Sequence, residues 1–256
     1  MSKNPKKAAE PKKTGKMPIP KNWYEQMPQE FKAPTQHYEN EDFVNIKLPM
    51  RLSLVGASGS GKSNCLLSLV EGINAWAKIY LFIKTDEPLY KYFESVIAKA
   101  EKKTKTKILH IEHNIDNLPP IDSFDEKVPS LCVFDDMITE KTKTLKSIEQ
   151  YFILIRKRGV SLVFISQKFT SIPKVIRSNC PLIILKKIST NRDLSHIMSE
   201  FATSKSVKQL KKMYEWVNKQ GMMHWFLIDT DTNDDRLKYR IDYTGIPDEI
   251  GGPDDA

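Results

Sequence analysis

The stretch Arg51–Val70, RLSLVGASGSGKSNCLLSLV, decides the fold. An apolar run, Leu52–Val55, stops at a glycine-rich turn; lysine and serine follow, and a second apolar run begins. The first run fits a short buried strand, and Lys62–Asn74 fits a helix opening directly from the turn. The turn itself, Gly56–Ser63, fits the pattern G-x-x-x-x-G-K-[ST]. Glycines at 56, 59 and 61 let the backbone curl until successive N–H groups face one anion, and the helix N-terminus adds its dipole. Gly56, Ala57, Ser58, Gly59, Ser60, Gly61, Lys62, Ser63 and Asn64 are therefore expected to cradle the triphosphate tail of ATP. Lys62 would reach the β- and γ-phosphates, and the Ser63 hydroxyl would coordinate Mg2+.

Outward from this turn, apolar strands alternate with helices. KIYLFI, KILHIE, SLCVFDD, VSLVFIS and PLIILKK read as strands. Helices are expected over Pro88–Lys102, Thr142–Arg158, Asp193–Ala202 and Lys205–Asn218. MMHWFLID and RLKYRID form a terminal strand pair that would add an antiparallel edge. Continuous apolar strands separated by helices predict an α/β fold, a mostly parallel sheet with helices on both faces. The expected division is a basic, Pro-containing arm over residues 1–45, one ATPase domain over 46–244 and an acidic tail over 245–256.

Two of these strands carry polar groups at their exits. LCVFDDM ends a buried strand in two carboxylates, which is costly unless they meet a cation. Asp135 would hold Mg2+ through its water shell, and Asp136 would polarise the water that attacks the γ-phosphate. VSLVFISQKF exits at Ser166 and Gln167. If that strand lies between the phosphate-turn strand and the Asp135 strand, Gln167 comes within reach of the γ-phosphate. Just upstream, Arg156, Lys157 and Arg158 close a helix, where positive charge suits the macrodipole. Arg156 or Arg158 is equally a candidate arginine finger for a neighbouring subunit's nucleotide; the sequence leaves both readings open.

Composition bounds the setting. The 256 residues are 40% hydrophobic and 28% charged, with a formal net charge of +8. No apolar run is long enough to cross a bilayer, and no N-terminal segment reads as a secretory signal. Cys65, Cys132 and Cys180 are scattered, odd in number and flanked by apolar residues, so buried thiols are expected rather than disulfides or a zinc site. The basic excess clusters at Lys3–Lys16, Lys102–Lys107 and Lys205–Lys212, a distribution suited to a phosphate backbone.

The order GASGSGKSN, VFDDM, RKRGVSLVFISQKFTSIPKVIRSNCPLIIL resembles the FtsK/HerA superfamily of DNA-pumping ATPases. The likeness is to its viral genome-packaging branch, found in poxviruses, giant DNA viruses and virophages, and covers residues 48–197. The resemblance implies a RecA-like core with an additional strand and a pentameric or hexameric ring. It further implies ATP-driven translocation of double-stranded DNA into a preformed capsid, sequence-independent phosphate contacts and a capsid or portal-vertex partner; the short apolar runs, unlike the membrane spans of the bacterial chromosome pumps, predict no membrane partner. The setting would be host cytoplasm, a viral factory or the virion. Carried over by position, Lys62 and Ser63 are the Walker A pair and Asp135 is the Mg2+ acid. Asp136 takes the catalytic-acid place and Gln167 the sensor place. Arg156 sits where the family often has an arginine ahead of the sensor strand. Asp136 departs from the glutamate usual in cellular members. The alternatives are a cellular or plasmid DNA pump of the same superfamily and a P-loop kinase of a small molecule, the latter disfavoured by the paired acids.

Overall fold

The computed structural model describes residues 21–32, 36–139 and 142–252. The chain falls into two compact units, one within residues 1–33 and one within 34–256. In the first, Asn22 caps the short helix α1 (Trp23–Gln26) by accepting from the Tyr24 N–H at 3.2 Å. Trp23, Tyr24 and Phe31 of this unit are exposed. The Lys3–Lys16 cluster lies outside the described residues.

The second unit is built on one nine-stranded sheet. A short helix, α2 (Glu41–Val44), precedes β1 (Arg51–Val55) and α3 (Lys62–Ile73). Then come β2 (Lys78–Phe82), α4 (Pro88–Thr104), β3 (Leu109–Glu112) and β4 (Ser130–Asp135). After α5 (Thr142–Leu154) and β5 (Val160–Ser166), the short α6 (Lys174–Ser178) leads into β6 (Leu182–Leu185). Helices α7 (Asn191–Phe201) and α8 (Val207–Lys219) precede β7 (Phe226–Asp229), β8 (Tyr239–Ile241), β9 (Thr244–Gly245) and α9 (Asp248–Gly251).

The spatial order is β3-β2-β4-β5-β1-β6-β7-β8-β9. The first six of these pair in parallel, and β7, β8 and β9 continue the sheet antiparallel, as expected from the terminal strand pair. The central strands β4 and β5 are buried at every residue, which is why they read as unbroken apolar runs. Alternate side chains serve opposite faces. Leu54, Val163 and Ile165 pack with Cys65, Leu66 and Leu69 of α3 and Tyr90 of α4. Val55, Leu162 and Phe164 pack with Ile148 and Phe152 of α5, Ile197 of α7 and Met213 of α8. All three cysteines are free and buried in these layers.

The structure differs from the sequence reading at three places. The predicted Thr142–Arg158 helix is α-helical to Leu154 and tightens to a 3-10 turn over Ile155–Arg158, stopped by Gly159 at φ 68°. Residues 36–45, grouped with the arm, are built into the second unit. Gln36 and Val44 are buried, and Gln36 Nε2 donates to the Gly159 carbonyl at 2.7 Å. The acidic tail is likewise anchored, with Ile246 buried and Gln209 Nε2 donating to the Gly252 carbonyl at 2.9 Å. Neither segment is long enough to show a hydrophobic period, so contacts with distant residues decide where they lie.

Candidate nucleotide site

Strand β1 delivers the phosphate loop to the carboxyl edge of the sheet. The loop is pinned on both sides: the Gly56 N–H donates to the Ser166 carbonyl at 3.2 Å and the Ala57 N–H to the Lys187 carbonyl at 2.8 Å. At Gly56 a side chain has no room, since a Cβ would lie 2.6 Å from both Lys186 Cβ and Ser60 Oγ. Gly61, at φ 83°, turns the chain into α3 in a conformation that L side chains rarely adopt. Ser58 and Gly59 form the exposed tip, while Lys62, Ser63 and Asn64 open the helix, whose first N–H groups have no intrahelical acceptor. Lys62 Nζ donates to the Ala57 carbonyl at 3.1 Å, so the ammonium already lies over the loop.

Strand β5 is inserted between β1 and β4. Asp135 pairs in register with Ile165, which sets Asp135, Asp136, Ser166 and Gln167 side by side at the carboxyl edge. Asp136 leaves its strand at φ 53°, a left-handed turn uncommon outside glycine but tolerated by aspartate. Its Oδ2 accepts from Gln167 Nε2 at 2.8 Å, whereas its Oδ1 is buried without a hydrogen-bond partner among the described residues. Asp135 is buried, and Tyr90 of α4 donates to its Oδ2 at 2.6 Å. Burial raises the Asp135 pKa to about 6; the Tyr90 hydrogen bond and Lys62 work against the rise, and the charges of Asp136 and Glu87 add to it. Ser63 Oγ donates to Glu87 Oε2 at 2.7 Å.

The set Ser63 Oγ and Asp135 carboxylate is all oxygen, the donor chemistry of magnesium, which keeps several waters and takes one or two carboxylates plus phosphate oxygens. No cluster of three or more His, Cys, Asp or Glu side chains suited to a metal lies among the described residues. A cation shared between protein and phosphates fits these residues better than an all-protein cage.

Lys62, Ser63, Asp135, Asp136 and Gln167 thus share one edge of the sheet. The arginines do not. Arg156 precedes the first residue of β5, so it lies toward the amino ends of the strands, exposed, where it lines a cavity of about 550 Å³ with Arg51, Asp229 and Asp231. Arg158 is engaged by Asp122 at 2.5 Å and by Glu126 at 3.7 Å. Neither can serve its own chain's phosphate loop from that edge. Of the basic clusters, Lys102, Lys103, Lys105 and Lys107 are exposed, while Lys205 pairs with Asp248 at 2.8 Å and Lys211 donates to Ser195 Oγ at 2.9 Å.

Sequence reasoning missed Glu87, Tyr90 and Lys186. Lys186 is 3% exposed, and its Nζ donates to the carbonyls of Met222 at 2.5 Å and His224 at 2.7 Å, tying the loop before β7 to the base of the phosphate loop. The only sequence signal for Glu87 was its place before Pro88, a helix-start pattern that says nothing of a site.

A phosphate loop leaving a parallel strand, with an acid pair two strands away and a glutamine strand between them, is the arrangement of a P-loop ATPase. The chain belongs to the family described as Poxvirus A32 protein, whose profile matches residues 36–232. No curated protein sequence matches it. Among solved structures, B204, the DNA-packaging ATPase from Sulfolobus turreted icosahedral virus, is similar over 79% of this chain and 100% of that chain, with TM-score 0.51 and 13% identity. The genome-packaging NTPase B204 from Sulfolobus turreted icosahedral virus 2, in complex with ATP-gammaS, covers 77% of this chain and 99% of its own, with TM-score 0.49 and 14% identity. Thermomonospora curvata EccC, ATPases 2 and 3, matches 77% of this chain over 38% of its own length, with TM-score 0.45 and 15% identity. At these identities the likeness is one of fold.

Proposed function

We propose that this protein is a viral genome-packaging ATPase that drives double-stranded DNA into a preformed capsid as an oligomeric ring, working in the host cytoplasm or a viral factory. Family membership supports the viral setting. The observation that carries the hydrolytic reading is the Asp136 carboxylate, one oxygen held by Gln167 and the other without a hydrogen-bond partner among the described residues. Such an oxygen keeps lone pairs free to take a proton from an attacking water, and the tether fixes its direction. Lys62 supplies positive charge to the β- and γ-phosphates, and loop N–H groups orient them. Mg2+, held by Ser63 and Asp135, would neutralise charge developing between the same phosphates. Gln167, touching Asp136 and adjoining the strand that carries it, is suited to report the state of the γ-phosphate to the rest of β5.

Arg156, exposed at the opposite edge, is the arginine available to a neighbouring subunit, Arg158 being held by two acids. The exposed Lys102–Lys107 cluster is the candidate for sequence-independent phosphate contacts. The arm within residues 1–33 is the candidate for docking on the capsid or portal vertex. The deciding experiment is ATP turnover by the purified chain with and without long duplex DNA over a salt series. Stimulation that fades with rising salt supports the motor; turnover indifferent to DNA at low salt contradicts it.

A further inference from the structure

The first turn of α4 follows the carboxyl end of β2, which runs parallel to β4, and so meets the nucleotide site at the edge where β4 and β5 exit. Glu87 stands at the N-cap of that helix, where an acidic side chain ordinarily accepts from the helix's own N–H groups. Its carboxylate makes no such bond. It accepts instead from Ser63 Oγ at 2.7 Å, across 24 residues of sequence. Three positions on, a spacing that keeps side chains on one helix face, Tyr90 donates to Asp135 Oδ2 at 2.6 Å, 45 residues away. Tyr90 is 1% exposed, and its ring packs in the core beside α3. The two groups on the cation side of the site are thus each gripped by one helical turn.

The chemistry of each grip is directional. A serine hydroxyl has one proton and two lone pairs. With the proton given to Glu87, the rotor is fixed and a lone pair is left for a cation. A carboxylate turns freely about its last bond unless one oxygen is held; Tyr90 holds Oδ2, which leaves Oδ1 in one place. Partners that orient metal ligands in this way are worth about 10–100-fold in metal affinity.

We propose that Glu87 and Tyr90 are positioning residues for the divalent cation of this site, Glu87 by aiming the Ser63 hydroxyl and Tyr90 by aiming the Asp135 carboxylate. The inference rests on the nucleotide–Mg2+ reading of the site. It assigns to α4 a task beyond covering the sheet, and it makes the Glu87–Tyr90 spacing part of the site.

The test is equilibrium binding of a fluorescent, non-hydrolysable ATP analogue to the full chain, first in EDTA and then over a Mg2+ titration. Glu87→Ala and Tyr90→Phe are expected to bind the analogue in EDTA as the parent does. Their half-saturating Mg2+ should rise about tenfold or more, and Glu87→Gln, which keeps an acceptor oxygen, should recover part of the loss. Mg2+ midpoints equal to the parent's would overturn the proposal. So would a loss of affinity already present in EDTA, since the two side chains would then merely support the loop. A parent chain that binds no analogue in either condition would overturn the nucleotide reading itself, and this inference with it.

Discussion

Gln167 Nε2 donates to Asp136 Oδ2 at 2.8 Å, joining the exits of two neighbouring strands, β5 and β4. The bond holds a carboxylate whose backbone already sits in a left-handed turn at φ 53°. Replacing Gln167 by Ala removes the tether and leaves the acid in place. Turnover should fall about 10²-fold, the cost of misplacing a reacting group by an ångström, with little change in KM. Steady-state kinetics separates the two parameters, and a rise in KM at constant kcat would make Gln167 a binding residue.

Lys186 reaches across the base of the phosphate loop to two carbonyls of the loop before β7. Burial holds its ammonium below the usual lysine pKa. Lys186→Met keeps the stem and deletes the donors. The expected cost is about 1.5–3 kcal/mol, the range for hydrogen bonds to charged groups, read from a urea unfolding curve. A wild-type midpoint would mean that the loop is held by other contacts.

Arg240 is fully buried; its Nη2 donates to Asp229 Oδ2 at 2.7 Å and its Nη1 to the Val44 carbonyl at 2.9 Å. Removing one charge strands the other, so Arg240→Met should destabilise by about 3–5 kcal/mol. Exchanging Asp229 for Leu in the same chain should restore much of that loss. Additive losses in the double variant would show that the Val44 contact dominates.

His110 stacks on Tyr80 at 4.7 Å between ring centres, and its pKa is lowered by burial and then by Lys107 and Lys78. The unfolded chain therefore binds this proton more tightly than the folded one. Stability should be fully present above about pH 6.5, the ordinary histidine value, and be lost as pH falls through it toward the depressed folded value. His110→Gln should flatten that part of the stability profile, measured by urea midpoints between pH 5 and 8. An unchanged slope would place the proton uptake elsewhere.

Much of the architecture was legible because its signals are local. The phosphate loop carries its own turn chemistry, and β4 and β5 announce themselves as unbroken apolar runs ending in polar residues. The place of β5 between β1 and β4 was only conditional in the sequence, since strand order is a property of the whole sheet. Glu87 and Tyr90 were invisible for the same reason: nothing within EPLY indicates that it meets Ser63 and Asp135. Gln36 and Val44 were read as arm because a few residues show no period, and their burial depends on partners such as Gly159 and Arg240, over a hundred residues away.

The central claim is that Asp136 activates the attacking water at a site whose phosphates are held independently by the loop. Single-turnover hydrolysis of ATP by Asp136→Asn, with nucleotide affinity measured on the same sample, tests it most directly. The account predicts affinity close to that of the parent and a hydrolysis rate lower by about 10²–10⁴-fold. Hydrolysis at the parent rate, with nucleotide bound, would contradict it.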